Sequence, residues 1–122
     1  MKRKIYDRLL EWKRNEARET ALLIDGARRV GKSYIVEKFA QSEYRSYVMI
    51  DFAKAPAEIK SLFENYQDRL DRLFLKLSEY YGVRLHERDT LFIFDEVQMC
   101  PKARESIKPL VADGRYDFLE TG

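Results

Sequence analysis

Residues 26–33 read Gly-Ala-Arg-Arg-Val-Gly-Lys-Ser, which fits the spacing G-x-x-x-x-G-K-[ST] at every fixed position. This spacing constrains the fold because it does its physical job in only one setting. The glycines let the backbone curl around an anion with its N–H groups pointing inward. Such a loop leaves a buried strand and opens a helix, whose positive N-terminal end adds to the anion site. Both neighbours are legible here. Thr20–Asp25 contains a short apolar run, suited to a strand buried on both faces. Downstream, Tyr34, Ile35, Phe39 and Ala40 fall near helical spacing. In this pattern Lys32 is expected to reach the β- and γ-phosphates of a nucleotide, and the Ser33 hydroxyl to ligate Mg²⁺. The expected cofactor-binding run is Gly26, Ala27, Arg28, Arg29, Val30, Gly31, Lys32, Ser33 and Tyr34.

A second motif answers the first. Thr90-Leu91-Phe92-Ile93-Phe94-Asp95-Glu96 is an apolar run ending in two carboxylates. Open α/β sheets bind ligands at the C-terminal tips of their strands. Asp95 is expected to hold Mg²⁺ opposite Ser33 through water, because Mg²⁺ usually keeps several waters. Glu96, one residue on, is placed to orient and activate a water attacking the γ-phosphate. Alone, an apolar run ending in acids is also what a strand followed by solvated carboxylates looks like. Its pairing with the 26–33 loop gives it meaning.

The chain has 122 residues, enough for one domain and one core. Its 23 basic and 21 acidic side chains leave a net charge of only +2, so no large basic field advertises nucleic acid. The single cysteine, Cys100, allows no internal disulfide, which is consistent with a cytoplasmic, reducing setting. No apolar run approaches the roughly 20 residues needed to span a membrane, and the charged Met1–Arg14 segment lacks a signal-peptide core.

Periodicity predicts an amphipathic helix over 4–18, with Ile5, Leu9 and Trp12 on one face and Trp12 as packing rather than a base-stacking platform. Strands are predicted at 20–25, 45–52, 90–95 and 116–121, and helices at 32–42, 56–66, 67–81 and 102–112. Pro56 suits a first helical turn and Gly82 a helix stop. Pro109 is expected to end or kink the last helix, and His86 reads as a solvated loop histidine. Strands alternating with helices give an α/β class with a parallel sheet and right-handed crossovers.

The Gly26–Ser33 loop, the Leu91–Glu96 acidic strand end and the following Val97-Gln98-Met99-Cys100-Pro101 resemble bacterial and archaeal AAA-superfamily ATPases. The most similar group couples a P-loop ATPase domain to an uncharacterised C-terminal domain. The resemblance includes the Ile5-Tyr6 to Trp12 helix and the Thr121-Gly122 end, and it spans nearly the whole chain. It implies a three-layer P-loop NTPase fold in which 1–18 is an N-terminal helix and 19–122 a nucleotide-binding core. It also implies that 1–122 is the N-terminal portion of a longer ATPase domain. The superfamily strand order 5-1-4-3-2 then leaves 1-4-3-2 here, with an apolar strand one at an edge that invites pairing with another chain. ATP and Mg²⁺ are the implied cofactors. Lys32 contacts phosphates, Ser33 and Asp95 serve the metal, Glu96 is the catalytic base, and Thr121 stands where a polar sensor of the γ-phosphate is often found. A homo-oligomer or partner protein is implied as the source of an arginine finger, with Arg104 and Arg115 weak in-chain candidates.

Other readings stay open at this level. A small-molecule kinase would transfer the phosphoryl group, and a nucleotide-dependent binding module would switch without significant turnover. A nucleic-acid module would use Lys2-Arg3-Lys4, which a solvated helix end explains as well. Arg28 and Arg29 can lean over phosphates or a neighbouring subunit, or simply fill variable loop positions. Gln98 can place a water or relay its state, or can make an ordinary loop hydrogen bond.

Overall fold

In the computed structural model the described residues are 2–25 and 32–122. They form α1 (Lys2–Asn15), β1 (Leu22–Ile24), α2 (Lys32–Glu43), β2 (Ser46–Asp51), α3 (Ala57–Asn65), α4 (Leu70–Tyr81), β3 (Thr90–Asp95), a 3-10 turn (Val97–Met99), α5 (Pro101–Asp113) and β4 (Asp117–Thr121). The four strands make one parallel sheet in the order β1-β4-β3-β2. The parallel α/β sheet is the one expected from the alternating elements, and its order, with β1 at an edge, is the one the resemblance implies. On β1, Leu23 is 43% exposed.

The sheet separates two cores. Side chains alternate along a strand, and β3 shows it cleanly. Leu91 and Ile93 pack with Leu9, Trp12, Val36, Phe39 and Ala40 of α1 and α2. Phe92 and Phe94 point the other way, into the core beneath α3, α4 and α5. In that second core Phe52, Phe63 and Phe94 meet edge to edge, with ring centroids 5.4–5.5 Å apart, and Phe92 stacks on Phe118. Rings packed this way contribute about 0.5–1.5 kcal/mol per pair beyond the area they bury. β3 is buried along its whole length, as its unbroken apolar run requires.

Trp12 is fully buried and donates its indole N–H to the Thr20 carbonyl at 2.8 Å, tying α1 to the entry of β1. It is a packing residue, as the amphipathic pattern predicts. α1 ends at Asn15, earlier than the 4–18 periodicity suggests, and a turn follows it. Gly82 stops α4 in the left-handed region at φ 64°, as expected.

Two expectations need correction. Pro109 neither ends nor breaks α5, which runs on to Asp113 and is stopped by Gly114 at φ 86°. Ile107, Leu110 and Val111 are buried on either side of the proline. Their packing outweighs the roughly 3 kcal/mol that a proline costs inside a helix. Tyr34 does not belong to the apolar face of α2. It is 57% exposed, and the buried stripe is Ile35, Val36, Phe39 and Ala40.

Candidate functional site: a carboxylate, two hydroxyls and a buried lysine at the strand tips

The alternation that builds the two cores also aims the polar residues at the strand ends. Asp95 lies two residues beyond Ile93, and Thr121 two beyond Leu119. Ile93 and Leu119 face α2, so Asp95 and Thr121 face α2 as well. Ser33 sits in the first turn of that helix. The three side chains meet on one oxygen. Ser33 Oγ donates to Asp95 Oδ1 at 3.2 Å, and Thr121 Oγ1 donates to the same Oδ1. Asp95 and Thr121 are both buried.

Thr121 has a second task. Its hydroxyl oxygen accepts the Glu96 backbone N–H at 3.2 Å. Glu96 needs this partner because it leaves β3 in the left-handed region, at φ 53° and ψ 49°. For a residue with a side chain that conformation costs about 1–2 kcal/mol. It swings the chain into the 3-10 turn, where Met99 N–H bonds the Glu96 carbonyl at 3.0 Å. The turn curls Gln98 back, and its side-chain amide donates to Glu96 Oε1 at 2.7 Å.

Lys32 opens α2 with its side chain only 2% exposed. Its ammonium lies 3.4 Å from the Gly122 carbonyl oxygen. Among the described residues no carboxylate pairs with it. Among the described residues the Gly122 carbonyl is its hydrogen-bond partner, and a buried ammonium is costly unless an anion completes its shell. The adjoining Ser33 hydroxyl and Asp95 carboxylate are hard oxygen donors of the kind Mg²⁺ takes while keeping waters and phosphate oxygens. The donor set therefore fits a magnesium nucleotide. Gly26, Ala27, Arg28, Arg29, Val30 and Gly31 lie outside the described residues.

The structure thus brings Lys32, Ser33, Asp95, Glu96 and Thr121 to one end of the sheet and leaves Tyr34 on the exposed side of α2. Arg104 and Arg115 do not join them. Arg115 is paired with Asp71 and Asp113 and lies over the Phe74 ring. Arg104 is exposed on α5 and acts electrostatically on Glu120. The Gly122 carbonyl beside Lys32 had no sequence signal, since a glycine carries no side-chain chemistry to read. The opposite end of the sheet holds a second polar cluster. Tyr44 OH donates to Asp117 Oδ2 at 2.5 Å, Arg88 pairs with Asp117 Oδ1, and Arg88 also donates to the Gly114 carbonyl at 3.0 Å.

Among the described residues no helix is long and apolar enough to cross a membrane. A search of curated proteins finds no match. Among solved structures the chain is similar to C. elegans PCH-2, with a TM-score of 0.60 and 16% identity over 99% of this chain and 36% of that one. The chain therefore spans about a third of that protein's length, and the likeness speaks to the fold. A family model described as an AAA domain matches residues 18–122. With the P-loop spacing, the parallel β1-β4-β3-β2 sheet and this match in hand, the chain belongs to the AAA-domain family and is a P-loop ATPase-type module.

Proposed function

We propose that this module binds ATP with Mg²⁺ and hydrolyses it. The observation that carries the reading is the meeting of Ser33 and Thr121 on Asp95 Oδ1, with Lys32 buried nearby and Glu96 next in the chain. Lys32 supplies a desolvated positive charge for the phosphates. Ser33 and Asp95 hold the metal, which when bound neutralises charge on the phosphate oxygens. Thr121 fixes Asp95 and orients the backbone of Glu96. The Glu96 carboxylate accepts a proton from water as the water oxygen bonds to the γ-phosphorus and the bond to the ADP oxygen breaks.

The acidic strand end followed by Val97-Gln98-Met99-Cys100-Pro101 supports assignment to the bacterial and archaeal group that carries an additional C-terminal domain. On that reading residues 1–122 are the N-terminal portion of a longer cytoplasmic ATPase domain. The resemblance then points to a neighbouring subunit or partner as the source of the transition-state arginine, and among the described residues Arg104 and Arg115 do not join the strand-tip cluster. The decisive experiment compares ATP turnover by the parent protein and Glu96→Gln. ATP should bind and persist in the variant, with a rate loss of about 10²–10⁴-fold. Undiminished turnover would count against hydrolysis through Glu96, and phosphate appearing on an acceptor would indicate a kinase.

A further inference from the structure

The side-chain amide of Gln98 lies between Glu96 and Gly122. Nε2 donates to Glu96 Oε1 at 2.7 Å. A carboxylate only accepts in its ionised form, so this contact fixes which end of the amide is NH₂. Oε1 then lies against Gly122, only 2.6 Å from where a Cβ on that residue would stand. No side chain fits at 122 without moving the amide. Gly122 is also the residue whose carbonyl meets the Lys32 ammonium. A continuous path therefore runs from the phosphate-binding lysine through Gly122 and Gln98 to the Glu96 carboxylate, and returns through Thr121 and Asp95 to Ser33.

We infer that Gln98 is a positioning residue for Glu96: its amide, lying close to Gly122, holds one carboxylate oxygen and leaves the other for the attacking water. The inference deepens the proposed hydrolysis and rests on Glu96 acting there as the base. The physical reason is preorganisation. The backbone of Glu96 is pinned by Thr121, but three torsions separate that backbone from the carboxylate oxygens, and a mobile base is a poor one. The 3-10 turn that follows Glu96 carries residue 98 back to residue 96. Gln98 is exposed and packs into neither core, so its removal leaves no cavity.

The test is single-turnover hydrolysis of radiolabelled ATP by the protein that carries this chain, with ATP affinity and melting temperature measured beside it. Gln98→Ala should slow the chemical step roughly ten- to hundredfold, the scale of a misplaced catalytic group, with affinity and melting temperature unchanged. Gln98→Glu, which loses the donor and adds a like charge, should not rescue it. Gly122→Ala should produce the same slowing by pushing the amide aside, and the double variant should be no slower than either single one. An unchanged rate in Gln98→Ala, while Glu96→Gln is inactive, would overturn the inference and leave the function standing. A parallel fall in affinity and melting temperature would also overturn it, in favour of a structural role. Turnover by Glu96→Gln at the parent rate would overturn the function, and the inference with it.

Discussion

Thr121 donates its hydroxyl proton in a hydrogen bond to Asp95 on the neighbouring strand, and the same hydroxyl accepts the Glu96 amide. One buried side chain thus fixes both acidic residues of the strand tip. Thr121→Val keeps the shape and removes the hydroxyl, leaving the Glu96 N–H and one Asp95 lone pair without their partner. A loss of about 1–3 kcal/mol is expected from such unsatisfied groups, read in denaturant melts. Thr121→Ser should recover most of it. Turnover should fall in the valine variant by more than the stability loss alone explains.

Lys32 makes the second prediction. Lys32→Ala removes a charge-assisted contact to phosphate worth about 1.5–3 kcal/mol, so ATP affinity should fall at least about tenfold by calorimetry. The nucleotide-free variant should melt no lower than the parent, because the lost ammonium is buried and, among the described residues, its partner is the Gly122 carbonyl at 3.4 Å. Equal ATP affinity in both proteins would remove Lys32 from the site.

The cluster at the far end of the sheet is a stability device. Asp117→Ala strands Arg88 and Tyr44, and breaking a buried pair costs up to about 3 kcal/mol here, because Arg88 keeps some solvent. Burial, followed by the hydrogen bond to Asp117, raises the Tyr44 pKa above the usual tyrosine value. A raised folded-state pKa means stability that is intact below the unfolded value of about 10 and is lost as pH climbs through and above it. Tyr44→Phe should therefore flatten the alkaline limb of the stability profile while costing stability at neutral pH. An alkaline limb unchanged by the substitution would show that other groups control it.

Glu120 gives a prediction of the opposite kind. It lines a cleft of about 690 Å³ with Ala21, Ile107 and Pro109, where burial raises its carboxyl pKa and Arg104 offsets part of the effect. The ionised form is thus disfavoured in the folded state. That penalty is absent below the unfolded carboxylate value of about 4.3 and complete once pH exceeds the raised folded value. Glu120→Gln should raise the neutral-pH melting temperature, and the gain should vanish in acid. A gain independent of pH would point to packing instead of charge.

The sequence by itself determined the alternation of strands and helices, the limits of β3 and the residues of the two motifs. These are written in short-range patterns: an apolar run too short for a helix, glycine–lysine–serine spacing, paired acids at a strand end. Resemblance supplied the strand order that the sheet displays. Tertiary structure decided what those patterns meet. Tyr44, Arg88 and Asp117 are far apart in the chain, and only crossovers of a parallel sheet bring them together. Pro109 stays helical because its buried neighbours outweigh a local penalty. Tyr34 leaves the apolar face because the helix phase is set by Ile35, Val36, Phe39 and Ala40. Gln98 reaches Glu96 through a turn whose entry depends on Glu96 adopting the left-handed region, held there by a hydroxyl 25 residues away. Local spacing names candidate groups, whereas long-range packing sets which of their atoms come within hydrogen-bond distance.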